Sequence, residues 1–157
     1  MTLEDIYYIG QTVAVFAIIG SLVFVGIQVR QNTRATQAAS HHAVSNSLNE
    51  INRLFIENAE VTKIWLAGLN NRQGLSPEER WRFDSMLRAY MHVCETMYIQ
   101  ADLGTGDKSI MFAEENGIRT VLASSGSREW WAENPYGFGT KFRTYVAALL
   151  KPAAEKS

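Results

Sequence analysis

Ile6 to Val29 reads IYYIGQTVAVFAIIGSLVFVGIQV. The last charge before it is Asp5 and the next is Arg30. Twenty-four uncharged residues, at a rise of about 1.5 Å each, form a helix of about 36 Å, enough to cross a hydrocarbon core of about 30 Å with some tilt. This reading as a transmembrane helix decides the fold. Two rivals stand against it. A secretory signal would open on basic residues and carry a shorter apolar core, whereas this start is acidic (Glu4, Asp5), although Ala35, Ala38 and Ala39 could serve as a small-residue cleavage region. A core helix of a water-soluble protein would need wrapping on every side, and the rest of the chain is small and polar for that task.

The flanks predict an orientation. No Lys or Arg precedes the span, while Arg30 and Arg34 follow it closely. An excess of positive charge marks the cytoplasmic side. The expectation is an N-terminus outside, a C-terminal domain in the cytoplasm, and Tyr7 and Tyr8 in the outer headgroup layer. Within the span, Gly10, Ala14, Ala17 and Ser21 step by four, three and four, so they share one face. Small residues let a second helix approach closely in lipid, which predicts a homo-oligomer through this face. Gly20 and Gly26 fall outside it.

No Gly or Pro interrupts the chain from Ile27 to Ala67, so the helix is expected to continue to about Glu57. An apolar row, Val44, Leu48, Ile51 and Phe55, gives this continuation one core face. Asn58 is expected to kink or end it, and Ala59 to Leu69 adds a short segment with Val61, Ile64, Trp65 and Leu69 on one side. The expected layout is an outer tail (1–5), the span (6–29), a juxtamembrane helical extension (30–57) and a cytoplasmic helical domain (58–157). The extension would stand about 40 Å beyond the bilayer.

Asn70 to Gly74 reads as a loop. Ser76-Pro77-Glu78-Glu79 is the sharpest local signal: a cap, a proline suited to the first helical position and a glutamate three residues after the cap. The helix it opens runs to about Leu103, with Phe83, Leu87, Tyr90, Cys94, Met97 and Ala101 inward, and Gly104 to Asp107 stops it. A further helix covers about Lys108 to Ala123, with Met111, Ile118, Val121 and Leu122 inward, and Ser124-Ser125-Gly126 ends it. Ser127 is expected to cap a short helix, Arg128 to Glu133. Thr140 is expected to cap the last, Lys141 to Leu150, with Phe142, Tyr145, Val146 and Leu149 on one face and Pro152 closing it. The fold class is therefore all-α: an N-terminal transmembrane helix continuing into a cytoplasmic bundle of four or five helices.

The pattern as a whole, with SLVFVGIQVRQNTRA closing the span, LSPEERWRF in the middle, and REWW followed by KFRTYV, resembles an uncharacterised family of small bacterial single-pass membrane proteins that share a QVRQNTRA-like motif after the span. The resemblance implies the layout and an inner-membrane location, and no reaction.

Composition narrows the function. Fifteen basic and sixteen acidic residues give a net charge of −1, which leaves no basic footprint for nucleic acid. A single cysteine, Cys94, excludes an internal disulfide. As a nucleophile it would need a base and some exposure; on an apolar helix face it reads as a small buried hydrophobe. His92 and Glu95 reverse the order of a di-metal helix motif and occur once, so Glu79, Arg82, Asp84, Arg88, His92 and Glu95 read as a row of surface or inter-helix ion pairs. His41 and His42 point about 100° apart on a helix and cannot chelate one ion together. No catalytic residue, metal site or cofactor is assigned.

Two stretches carry the remaining candidates. Gln28, Arg30, Gln31, Asn32 and Arg34 form a polar collar that contacts lipid headgroups, a seam that fixes subunit register, or the mouth of a small oligomeric pore. Trp130, Trp131, Tyr136 and Phe138 form the densest aromatic cluster, either lining a ligand pocket or packing a helix and loop onto the bundle. The leading expectation is a membrane-anchored interaction or scaffold protein whose protein partner the sequence does not name. A pore or transport accessory and a ligand-sensing domain are the alternatives.

Overall fold

The structure is a computed structural model that describes residues 2–106 and 108–151. Met1, Asp107, Pro152 and the C-terminal end, including the stop roles expected of Asp107 and Pro152, lie outside the described residues. The chain is all-α: α1 (Leu3–Glu57), α2 (Ala59–Asn70), α3 (Pro77–Asp102), α4 (Lys108–Ala123), α5 (Ser125–Glu133) and α6 (Thr140–Leu149), with 3-10 turns at Arg72–Gly74 and Pro135–Gly137. It divides into two compact units, Met1–Ala39 and Ser40–Ser157.

The first unit is the N-terminal part of α1. The helix begins at Leu3 rather than after a five-residue tail. Thr2 and Asp5 hold its start: the Thr2 amide donates to Asp5 Oδ2 at 2.8 Å and the Asp5 amide to Thr2 Oγ1 at 3.3 Å. Every described residue from Thr2 to Ala39 is exposed. The Thr12 hydroxyl donates to the Tyr8 carbonyl at 2.8 Å and the Thr33 hydroxyl to the Val29 carbonyl at 2.9 Å, so neither requires water.

The second unit begins at Ser40 and so takes in the later part of the expected extension. Val44 is buried, Leu48 packs against the core, and Phe55 meets Trp65 with ring centroids 5.2 Å apart. The last turns of α1 are thus part of the bundle. The apolar row read from the sequence supplies their inner face. Asn58 ends α1 and caps α2, its Oδ1 accepting from the amides of Glu60 and Val61.

The α3 helix organises this unit. Ser76 and Glu79 form the expected capping box, with the Ser76 amide 2.9 Å from Glu79 Oε2 and the Glu79 amide 3.3 Å from Ser76 Oγ. The hydrogen bonds from Ser76 hold the Glu79 carboxyl below its ordinary range. Phe83, Leu87, Met91, Cys94, Met97 and Ala101 are buried along α3. Met91 takes a place the sequence reading omitted, and Tyr90 is half-buried. The helix packs against α2, α4 and α6, while α5 lies against α2 and α4. It ends at Asp102 with Leu103 as cap, and Gly104 follows with a φ of +72°, open to glycine at little cost.

Helix α5 departs from expectation. It starts at Ser125, and Ser127 is inside it, fully buried, with no hydrogen-bond partner for its hydroxyl among the described residues. Gly126 is a buried residue of the first turn rather than a stop. A Cβ there would strike the Gly68 carbonyl oxygen, and one at Gly68 would strike the Phe83 ring. These two glycines let α2, α3 and α5 approach more closely than any side chain would allow. Helix α6 likewise starts at Thr140, not after it; Gly139 takes the cap position and donates its amide to Glu95 Oε1 at 2.6 Å.

Candidate functional site

The sequence-predicted residues fall into three groups. Gly10, Ala14, Ala17 and Ser21 lie on an exposed stretch of α1, and open space surrounds Gly10. Gln28, Arg30, Gln31, Asn32 and Arg34 are exposed on the same helix. Among the described residues neither Arg30 nor Arg34 forms an ion pair.

The aromatic cluster is brought together in part. Trp130 and Phe138 are buried, and Phe138 has its centroid 5.0 Å from Trp131, 6.1 Å from Trp130 and 6.0 Å from Phe142. These rings fill one another's space, so packing, not a ligand pocket, is what the geometry provides. Tyr136 is 88% exposed, with the Arg143 guanidinium 5.5 Å from its ring centroid.

Part of the charged row on α3 ties this helix to the end of α5 and the start of α6. Arg88 donates to Asn134 Oδ1, Glu95 accepts from Gly139, and His92 Nδ1 lies 3.3 Å from Glu95 Oε2. Among the described residues no group of three His, Cys, Asp or Glu side chains could hold a metal ion. The largest tether was not foreseen. Arg72, read as a loop residue, is only 6% exposed. It grips Asp84 through Nε and Nη2 at 2.7 and 2.8 Å, and its Nη1 reaches Glu133 at 2.8 Å and Glu129 at 3.1 Å. The Asp84 hydrogen bonds raise the Arg72 pKa further, so the guanidinium stays charged. It clamps the 3-10 turn to α3 and α5, a structural role that satisfies its buried donors.

A second unforeseen pair lies on the other side of α3. The Tyr90 hydroxyl donates to Glu114 Oε1 at 2.6 Å. Burial is the main reason its phenol is pushed up and remains a donor. The neighbouring Cys94 thiol is also pushed up, chiefly by burial, which suits packing and opposes nucleophilic chemistry. A Cβ on Gly117 would come 2.5 Å from Glu114 Oε1 and 2.8 Å from the Tyr90 hydroxyl, so this glycine leaves the pair its room.

The seam between the last turns of α1 and helices α3 and α4 contains cavities. One of about 170 Å³ is bounded by Val44, Ser47, His92 and Thr96. Another, of about 260 Å³, lies between Leu48, Asn52 and Phe55 on one side and Trp65, Tyr90 and Glu114 on the other. In this seam Glu114, Tyr90 and Asn52 border unfilled space. No family model, curated protein or solved structure matches the chain. The geometry alone therefore carries the functional reading.

Proposed function

We propose that the chain is a membrane-anchored interaction module. In this reading Ile6 to Val29 spans the bacterial inner membrane, the N-terminus lies outside and the bundle lies in the cytoplasm. One observation carries it: the long apolar stretch of α1 has a mean hydropathy of 2.3 over its best window and none of that window is buried. Each large apolar side chain moved from water into hydrocarbon gains about 1.5–3 kcal/mol. Lipid is the environment that covers all faces of such a helix at once, and the internally bonded Thr12 hydroxyl suits it. Arg30 and Arg34 then meet the headgroups of the inner leaflet.

The face of Gly10, Ala14, Ala17 and Ser21 supports self-association in that setting, because close helix approach in lipid depends on small residues. Two measurements test the proposal. The intact chain is expected in the membrane fraction and to resist extraction by alkaline carbonate; recovery as a soluble monomer without detergent overturns it. In mild detergent, native mass spectrometry is expected to show an oligomer that Ala17→Leu or Ser21→Leu reduces to monomer, whereas a monomer throughout removes the self-association part alone.

A further inference from the structure

We infer that the cavity between the last turns of α1 and helices α2, α3 and α4 is a binding site for a small organic ammonium ion with an apolar arm. The inference goes beyond membrane anchoring and does not depend on it, since every residue involved belongs to the Ser40–Ser157 unit.

The walls set the chemistry. The cavity holds about 260 Å³, far more than one water requires. Leu48 gives it an apolar side, and Phe55 and Trp65, 5.2 Å apart between centroids, give it paired aromatic rings. Aromatic faces attract an ammonium within about 6 Å of the centroid. The Glu114 carboxylate lines the same cavity. It forms no ion pair among the described residues. Its one described hydrogen bond comes from Tyr90, which orients the carboxylate without neutralising it. Gly117 keeps the space that this orientation needs.

Other ligand classes fit less well. An anion would meet the carboxylate at close range. A wholly apolar ligand would desolvate Glu114 with nothing in return. A divalent metal would want several hard ligands, and the described residues offer no group of three candidate side chains. A primary or quaternary ammonium uses the carboxylate and the rings together, and its hydrocarbon arm uses Leu48.

The test uses the full chain in detergent micelles, with phenethylammonium as the probe and 2-phenylethanol as its neutral counterpart. Calorimetry is expected to show saturable binding of the ammonium. The alcohol is expected to bind at least about tenfold more weakly, the effect of one charge-assisted contact. Glu114→Gln, which keeps an acceptor for Tyr90, is expected to bring the ammonium down to the level of the alcohol. Leu48→Trp, which fills the cavity and leaves the carboxylate in place, is expected to abolish binding of both. Circular dichroism checks that each variant is folded. Equal affinity for the two probes, no saturable binding of either, or ammonium affinity unchanged in a folded Glu114→Gln or Leu48→Trp chain overturns the proposal. The wild-type comparison decides the matter even if a variant fails to fold.

Discussion

The two flanks of α3 are built by opposite rules. On the α2 and α5 side, Gly126 lies against the Gly68 backbone, the Phe83 ring lies against Gly68, and Arg72 ties three carboxylates into one knot. On the α1 and α4 side, Leu48, Phe55 and Tyr90 border a cavity, and a carboxylate faces it without a counter-ion among the described residues. Close packing transmits every lost atom into stability, whereas a void has few contacts to lose. The difference teaches that one helix can be closed by backbone contact and ion pairs on one flank while the other keeps unfilled space beside a carboxylate.

Substitutions on the two flanks can break or sharpen this contrast. The largest effect is expected from Arg72→Met. It leaves Asp84, Glu129 and Glu133 without their shared cation, Glu129 keeping only the Gln73 amide, and is expected to cost about 3–5 kcal/mol in urea unfolding. A loss below about 1 kcal/mol would mean that the knot is solvated like a surface pair. Next, Leu87→Ala on the buried face of α3 is expected to cost about 3 kcal/mol, and Leu48→Ala about 1 kcal/mol, because the second site already borders empty space. Equal losses by the same measurement would erase the contrast.

The smallest and most diagnostic pair is glycine against glycine. Gly126→Ala pushes a methyl into the Gly68 backbone and is expected to destabilise by about 2 kcal/mol even after the helix-propensity gain. Gly117→Ala meets only the movable ends of Glu114 and Tyr90, and it is expected to change stability by less than about 1 kcal/mol. Thermal melts of the two variants that fall together would show the flanks to be equally rigid.

The legible parts of this fold are those whose causes lie within a few residues. Ser76, Pro77 and Glu79 announce α3 because a capping box is local chemistry, and the row from Val44 to Phe55 follows from helical spacing alone. Gly126 misled because a glycine that ends a helix and one that admits a neighbouring backbone look alike until Gly68 is beside it. Arg72 and its partners at Glu129 and Glu133 lie 57 and 61 residues apart, and no periodicity joins them. The same holds for Tyr90 and Glu114, separated by 24 residues. Tyr90 read as an ordinary inward position, and Glu114 carried no signal. The aromatic cluster drew notice through density, but density does not distinguish rings that fill a core from rings that frame a hole.

Cys94 turns the architecture into its own stopwatch. It is the sole thiol in the chain and has no exposed surface. A soluble alkylating reagent can reach it only in a molecule whose α3 has momentarily lost its cover. Where reclosing outruns alkylation, the rate of tagging, with and without a guest molecule, reads the share of time the bundle stands open, using nothing but the atoms already present.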